Sequence, residues 1–446
     1  MTTHRRLVGV LGVIAVLVGA CAGGGASSAP STAPSVGPAS QAPSTAPSTA
    51  ANVEINWWHI QNNDPGKSLW QALADEYMAA HPNVKVNLTV LENDAFKTKL
   101  TTEEAGGKTP DLFQSWGGGG MAQEVKAGLL KDITADVASW KDTINPGALG
   151  MYQVDGKQYG IPFDLGMVGF WYNKEQFTKA GITAPPATWD DLLADVQKLK
   201  DAGLTPIAVG EGEKWPGMFY WAYLAIRAGG KDAMDKAIAS GDWSGPSFVE
   251  AGNQLKRLID LKPFQAGFLA AKWDGAGGAA ASMATAKGAM QLQGQWLPGT
   301  VAANSADKKG MGDNLGWFPF PALASGAGAA TDGFGGGNGF AVGKDAPPET
   351  IDFLHYLVST DAANRWGALN SGILPTTVGT ESSVTDPQLK DVLAGRAKAQ
   401  FVQLYLDQAT TPALGGSIND AIQTLFAGAA TPEQVAKAIT DAAKTQ

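Results

Sequence analysis

The sequence predicts an α/β fold in which helices flank parallel, doubly wound sheets. Apolar residues alternate in VEINWW and recur at helical spacing in SLWQALADEYMAAHP, and NVKVNLTVL, FKTKLTTEEAGG and PDLFQSW continue the alternation. Strand, helix, strand, helix, strand within about sixty residues is typical of a parallel sheet. The chain has 446 residues, 44% of them hydrophobic, which is enough for two domains with substantial cores.

The later segments continue this pattern. ATWDDLLADVQKLKDAG predicts a helix with Thr188 as its N-cap and Gly203 as its stop. TPIAVG and GAMQLQGQW predict strands, and AYLAIRAGG and FVEAGNQLKRLIDL predict helices. GKQYGIPFDLGMVGFWYNK contains Pro162 and several glycines that would break a central strand, so we expect the chain to pass from one lobe to another there.

The N-terminus predicts export and a membrane anchor. Residues 1–20 carry Arg5 and Arg6 before an apolar run, as in a signal peptide. LVGAC resembles a bacterial lipobox, so we expect Cys21, the only cysteine, to be lipidated. Residues 21–51 hold repeated Ala, Pro, Ser and Thr without charge, which predicts a flexible tether. The protein is therefore expected outside the cytoplasm, attached to the membrane only through this lipid.

Charge and motifs exclude several functions. The formal charge of −9 argues against nucleic acid as a partner and suits a neutral ligand. The four histidines are scattered, and one cysteine cannot build a thiolate zinc cluster, so we expect neither metal nor cofactor. No phosphate loop or nucleophile elbow is complete, so we expect no enzyme. A secreted glycoside hydrolase acting on oligosaccharides is the alternative, because its two carboxylates can lie far apart in sequence.

Several motifs together resemble a known family. TPDLFQSWGGGGMAQEVKAGLLKDIT, GKQYGIPFDLGMVGFWYNKEQF, ATWDDLLADVQKL, GAMQLQGQW and GFGGGNGFAV follow the order found in the solute-binding lipoproteins of bacterial ABC importers, in the sugar-binding group that includes maltose-binding protein. The similarity covers nearly all of residues 52–440. The chain departs from that relative at Gly166, where a strong acid is missing, and at Gly415–Ser417, where an aromatic residue is missing.

The resemblance implies a two-lobe periplasmic-binding-protein-like fold with a cleft between the lobes. Lobe 1 is expected at residues 52–163 and 334–374, and lobe 2 at 164–333 and 375–446. The protein would be a monomer that binds a neutral di- or oligosaccharide and delivers it to the membrane permease of an ABC transporter.

Candidate ligand-binding residues lie where predicted strands end, because ligands bind at the carboxyl ends of strands in such sheets. Aromatic side chains stack on the faces of sugar rings, and polar side chains bind the hydroxyl groups at the edges. The expected ligand-binding residues are Trp58, His59, Gln61, Asn62, Trp116, Gly117, Asp164, Trp215, Trp296, Gly336 and Asn338.

Alternatives remain open for several of these residues. Any one tryptophan could pack in a core instead, and Asp164 could cap a helix or form a hinge hydrogen bond. The glycines around Asn338 could simply allow the chain to cross between lobes. In GEKWPGMFYW, Pro-Gly predicts a turn that exposes Trp215, whereas at least two of the next three aromatic residues, Phe219–Trp221, are expected in the core.

Overall fold

A computed structural model describes residues 51–445. The predicted signal peptide, Cys21 and most of the predicted tether lie outside these residues. The strands are β1 Val53–His59, β2 Val84–Val90, β3 Leu112–Ser115, β4 Gln153–Val154, β5 Lys157–Gln158, β6 Gly160–Pro162, β7 Gly166–Met167, β8 Gly169–Asn173, β9 Met290–Gln293, β10 Leu315–Phe318, β11 Gly333–Gly336, β12 Gly339–Val342 and β13 Val402–Leu404.

Helices occupy most of the intervening segments. They are α1 Gly66–Ala80, α2 Asn93–Ala105, α3 Gly118–Lys126, α4 Pro146–Gly150, α5 Lys174–Lys179, α6 Trp189–Asp201, α7 Trp215–Ser240, α8 Pro246–Asp260, α9 Ala279–Ala284, α10 Leu297–Asn304, α11 Glu349–Leu357, α12 Thr360–Ala368, α13 Pro387–Lys398, α14 Leu406–Ala409, α15 Pro412–Phe426 and α16 Pro432–Ala443. Within residues 51–445, none of them combines the length and apolarity needed to cross a bilayer.

The first sheet has five strands in the order β2-β1-β3-β12-β6. β1 is parallel to β2 and β3, as the sequence predicts, and β12 is antiparallel to β3 and β6. Helices cover both faces of this sheet. Trp57 and Trp70 pack on one face with residues of α11 and α12, and Phe96 and Met121 pack on the other.

The rest of the chain forms two smaller sheets, β10-β8-β9 and β13-β11-β7. Residues of α6, α7, α8, α15 and α16 surround them in one large core. The predicted strand TPIAVG is reduced to parallel bridges from Ile207 to Phe264 and Met290. Pro206, which has no N–H to donate, limits the ladder at this point.

Chain segments that connect the sheets meet at one place. Asp164, between β6 and β7, bridges Pro375, and the turn between β11 and β12 contains Asn338. β11 pairs with β7 and β13, whereas β12 belongs to the five-stranded sheet, so the chain changes sheet after Gly336. The sequence predicts a change of lobe at residue 334, which falls inside β11. The lobe boundaries themselves stay a prediction.

Local signals placed both ends of α6 correctly. Thr188 is confirmed as the N-cap of α6, because its Oγ1 accepts a hydrogen bond from Asp191 N and the Asp191 carboxylate accepts one from Thr188 N. Gly203 follows the end of α6 with a φ of +74°, a conformation that glycine adopts readily.

Candidate functional site

A cleft with about 1010 Å³ of empty space, counted to its open mouth, lies between segments from both groups of sheets. One side, the aromatic wall, consists of Trp215, Phe219, Trp273, Trp296 and Tyr405. The other side, the polar wall, consists of Gln61, Asn62, Asn63, Asp64, Asn93 and Lys97.

The aromatic wall is one connected cluster of rings. The ring centroid of Trp215 lies 5.2 Å from that of Phe219, 5.6 Å from that of Trp273 and 6.5 Å from that of Trp296. Phe219 and Tyr405 stack with their centroids 5.6 Å apart and their planes at 20°. Because the rings support each other, the wall is a preformed apolar surface.

The start of α7 positions this wall. The predicted Pro-Gly turn is wrong, because α7 begins at Trp215 with Pro216 in its first turn, where a missing N–H costs nothing. Trp215 is consequently only 9% exposed, and the predicted open position on a loop is wrong as well. Phe219, Tyr220 and Trp221 are buried in α7 as expected, yet Phe219 also reaches the cleft.

A buried carboxyl group lies behind the first turn of α7. Glu211 is fully buried, and burial raises the pKa of its carboxyl well above the usual range. A Cβ at Gly217 would overlap this carboxyl group in its present position, so glycine allows the close packing seen here. The amide Nε2 of Gln423 donates to the carbonyl oxygen of Glu211 (2.7 Å) and ties α15 to the same point.

The polar wall comes from the loop after β1 and the first turns of α2. Asn62 is exposed, and Asn63 Nδ2 donates to Asp274 Oδ2 (3.0 Å), next to Trp273. Lys97 Nζ lies 3.5 Å from the carboxylate of Asp407, which also lines the cleft. Direct contacts therefore join the polar wall to the segments that carry the aromatic wall.

Lys97 also affects the availability of Trp116. Its Nζ lies 5.0 Å from the ring centroid of Trp116, and the rings of Trp116 and Phe96 lie at 77° to each other with their centroids 6.0 Å apart. Trp116 lines the cleft, but a cation occupies one side of its ring. A ligand that stacks on this side of the ring would therefore have to displace Lys97.

The cleft brings together six of the residues predicted from sequence, and these are Gln61, Asn62, Trp116, Trp215, Trp296 and Asn338. Among the described residues, its lining leaves out the other five, which are Trp58, His59, Gly117, Asp164 and Gly336. The reason in each case is packing against other parts of the protein.

His59 and Trp58 belong to β1 and not to the loop after it. His59 is fully buried, and its ring centroid lies 4.8 Å from that of Trp57. Burial lowers the pKa of His59 to about 3. Its Nδ1 accepts a hydrogen bond from Gln61 N (3.2 Å). Trp58 points to the opposite face of the sheet, where Lys99 Nζ lies 4.4 Å from its ring centroid. Both placements correct the expectation of ligand contact.

Asp164 is a buried connection between chain segments. Its Oδ2 accepts hydrogen bonds from Asn338 Nδ2 and Gln295 Nε2 (2.8 Å each), and its Oδ1 accepts one from Leu374 N (2.8 Å). Burial raises the pKa of Asp164 to about 6, although these hydrogen bonds lower it. Of the open alternatives, a helix cap or a hinge hydrogen bond, the contacts agree with hydrogen bonding between chain segments, and the hinge itself stays a prediction. A ligand-binding role for Asp164 is not supported.

Asn338 lines the cleft, and its side chain is hydrogen-bonded to other residues of the protein. Its Oδ1 accepts a hydrogen bond from Gln114 Nε2 (2.8 Å), and its Nδ2 donates to Asp164. Nδ2 has a second hydrogen to donate, and Oδ1 has a second lone pair that can accept a hydrogen bond. Asn338 is thus fixed in orientation.

The two predicted glycines are required by packing. Gly117 has a φ of +68°, and a Cβ there would overlap the carbonyl oxygen of Met151. A Cβ at Gly336 would lie 2.8 Å from Tyr405 Cε2, so Gly336 sits one layer behind the aromatic wall. Neither placement brings the backbone to the cleft surface.

Sequence reasoning did not identify several lining residues, which are Asn63, Asp64, Asn93, Lys97, Phe219, Trp273, Tyr405 and Asp407. Two of them lie next to sequence features that could have identified them. Trp273 precedes the Asp-Gly loop signal of KWDGAGG, and Tyr405 directly follows β13. In the part of the chain that the structure describes, no group of three or more His, Cys, Asp or Glu side chains could hold a metal ion.

Comparison with known proteins places the chain in a family. The sequence profile described as "Bacterial extracellular solute-binding protein" matches residues 62–364, more than half of the chain. An ABC transporter extracellular-binding protein of Pyrococcus horikoshii is 26% identical over 402 residues, covering 86% of this chain and 85% of that one. The lactose-binding protein of Rhizobium radiobacter is 24% identical over 325 residues, covering 66% and 68%.

A solved structure described as a chitin oligosaccharide binding protein superimposes with a TM-score of 0.80 at 25% identity, covering 88% of this chain and 98% of the other. This similarity confirms the predicted two-lobe α/β fold. The family match and the fold agree with the resemblance found in the sequence motifs. The chain therefore belongs to the bacterial extracellular solute-binding proteins that serve ABC transporters.

Proposed function

We propose that this protein binds a neutral di- or oligosaccharide in the cleft and delivers it, as a monomer, to the permease of an ABC transporter. The observation that carries the proposal is the pairing of the aromatic wall with the polar wall. A sugar ring presents C–H groups on its faces and hydroxyl groups at its edges, and it needs both kinds of surface. The names of the lactose-binding and chitin oligosaccharide binding relatives support a carbohydrate ligand.

Electrostatics support a ligand without net charge. Of the charged side chains that line the cleft, Lys97 and Asp407 form an ion pair with each other. The third, Asp64, accepts hydrogen bonds from Ser68 N and Ser68 Oγ. Asp64 has no ion-pair partner among the described residues, so the lining keeps one uncompensated negative charge, which disfavours an anionic ligand more than a neutral one.

We propose a binding role and not catalysis. A glycoside hydrolase needs two carboxyl groups that are free to act on the same glycosidic bond. The two carboxylates that line the described cleft, Asp64 and Asp407, are held by Ser68 and Lys97. No contact in the cleft favours hydrolysis, and the family consists of solute-binding proteins.

Thermal melting against a small panel of sugars tests this function. The panel contains lactose, maltotriose, xylotriose and N,N′-diacetylchitobiose, with glucosamine 6-phosphate as a charged control. A sugar at a hundred times its dissociation constant adds about 2.7 kcal/mol to the free energy of unfolding, which raises the melting temperature measurably. No shift with any neutral sugar would refute the proposal, and shortened sugars in chromatography would favour the hydrolase.

We also propose that lipid on Cys21 anchors the protein outside the cytoplasmic membrane. The support is the LVGAC sequence beside the uncharged Ala/Pro/Ser/Thr segment. In cell fractionation, Cys21→Ala is expected to move the protein from the membrane fraction to the soluble fraction while sugar binding is unchanged. Ser28→Ala in the tether is the control and should stay with the membrane. If the Cys21→Ala protein also stays there, the anchor assignment is wrong.

A further inference from the structure

Asp274, in the loop between α8 and α9, connects two segments that carry the aromatic wall. Its Oδ1 accepts hydrogen bonds from Asn304 Nδ2 (2.6 Å) and from Gly275 N (2.5 Å). Asn304 is the last residue of α10, the helix that begins directly after Trp296. The residue before Asp274 is Trp273. One carboxylate therefore ties together the segments of two wall tryptophans.

The second oxygen of the same carboxylate contacts the opposite side of the cleft. Asp274 Oδ2 accepts a hydrogen bond from Asn63 Nδ2 (3.0 Å), and Asn63 lines the cleft on the polar wall. The loop of Asn63 follows β1 of the five-stranded sheet, whereas Trp273 and Trp296 pack against the core around the two smaller sheets. The hydrogen bond therefore joins parts of the chain that belong to different cores.

The pair is suited to a contact that forms and breaks. Asn63 and Asp274 are both only partly buried, so the bond lies near the surface and not at the floor of the cleft. Two donors already hold Oδ1 of Asp274, which fixes the orientation of the carboxylate before Asn63 reaches it. A hydrogen bond to an ionised acceptor is stronger than one between neutral groups. Separation of the two walls would break this bond.

We propose that the hydrogen bond between Asn63 and Asp274 is a latch across the cleft that slows the release of a bound sugar. The proposal rests on the proposed function. A sugar between the walls adds contacts to both of them and holds them at the separation at which the latch forms. The latch is therefore formed more often when the cleft is filled, and it slows release more than it slows entry.

Exchange of the two side chains tests the latch. Asn63→Asp places a second carboxylate opposite Asp274, and Asp274→Asn replaces the charged acceptor by an amide. The double variant Asn63→Asp/Asp274→Asn restores one donor and one acceptor with the polarity reversed. The amide oxygen that it introduces at position 274 can still accept from Asn304 and Gly275, so the orientation of this side chain is kept.

The matched control is Asn253→Asp, which makes the same change of charge at an exposed asparagine of α8. Surface plasmon resonance on immobilised protein measures the rate constants for association and dissociation of the panel sugars. Melting temperatures without sugar check that each variant folds. The exchanged residues are partly exposed, so these temperatures should stay close to that of the wild type.

Asn63→Asp should release sugar about ten- to thirtyfold faster, because repulsion between carboxylates replaces a charge-assisted bond. Asp274→Asn should release it about three- to tenfold faster, because the bond becomes neutral. The double variant should return to within about threefold of the wild type, and Asn253→Asp should match it. Position 63 is the same in the double variant and in Asn63→Asp, so recovery separates the latch from a direct contact with sugar.

Two results of this experiment would overturn the proposal. One is an unchanged dissociation rate constant in both single variants. The other is a double variant that releases sugar as fast as Asn63→Asp.

A cross-link separates this proposal from the proposed function. Cys21 is the only cysteine, so Asn63→Cys and Asp274→Cys in a Cys21→Ala background give one pair of thiols across the cleft. A short bismaleimide should join them within single molecules, which mass spectrometry detects, and a sugar that binds should speed the reaction. Cross-linking without binding of any panel sugar would refute the proposed function while supporting the contact. Absence of cross-linking would overturn the latch whether or not a sugar binds.

Discussion

The two walls of the cleft differ in how they are built. Residues of the aromatic wall belong to a hydrophobic core as well as to the site, and Trp215, Phe219 and Tyr405 are each at most 9% exposed. Residues of the polar wall lie on a loop and on the outer turns of a helix, and Asn62 is exposed. The aromatic wall is therefore part of a core as well as of the cleft, whereas Asn62 of the polar wall lies outside the hydrophobic cores.

Trp215→Ala should produce the largest effect and should change both properties. Its truncation removes a stacking surface, which should lower sugar affinity about ten- to a hundredfold, a loss of about 1–3 kcal/mol. It also opens a cavity beside Phe219 and Trp273, which should cost about 3–5 kcal/mol of unfolding free energy. Calorimetry with the panel sugars and chemical denaturation measure the two losses.

Trp243→Ala is the matched control for that experiment. Trp243 is fully buried against Trp221 and Phe248 and does not line the cleft. It should lose similar stability and retain its affinity. If Trp215→Ala loses stability but keeps its affinity, the aromatic wall is only a packing cluster, and the comparison between the walls fails.

Asn62→Ala should produce a smaller effect that is confined to binding. An exposed side chain that donates to and accepts from sugar hydroxyls contributes about 0.5–1.5 kcal/mol, so affinity should fall by about three- to tenfold. The melting temperature without sugar should stay constant. Asn253→Ala, at an exposed asparagine of α8, is the control and should change neither quantity. A lowered melting temperature for Asn62→Ala would show that the polar wall also carries stability.

Salt should have the smallest effect. Because Lys97 and Asp407 neutralise each other, a neutral sugar meets no unpaired charge from them. Affinity for the panel sugars should change less than about twofold when added salt shortens the screening length from about 30 Å to about 8 Å. A systematic loss of affinity with salt, measured by calorimetry, would indicate a charged ligand.

Much of the fold could be predicted from the sequence because local patterns of apolar residues repeat along the chain. The order β1, α1, β2, α2, β3 and the cap at Thr188 follow from spacing and side-chain chemistry alone. The start of α7 could not be predicted from the sequence, because Pro-Gly occurs in turns and equally in the first turn of a helix. Burial of Trp215, Met218 and Phe219 in the core favours the helix, and the sequence does not show that packing.

The same limit applies to the site. The strand-end rule located Trp215, Trp296 and Asn62, since connectivity brings such positions to one edge of a sheet. It failed for Asp164, whose hydrogen-bond partners lie 131, 174 and 210 residues away in sequence. A short motif shows that a polar group is present, but only tertiary structure shows whether its hydrogen bonds are already satisfied.

The position of the tryptophans has an optical consequence. Four of the fourteen, Trp116, Trp215, Trp273 and Trp296, line the cleft. Indole fluorescence depends on contact with water, so a bound molecule that displaces water from these rings should alter the emission spectrum over the constant background of the remaining tryptophans. The unlabelled protein is therefore its own fluorescent reporter, and stopped-flow mixing can follow the arrival and departure of a solute in real time.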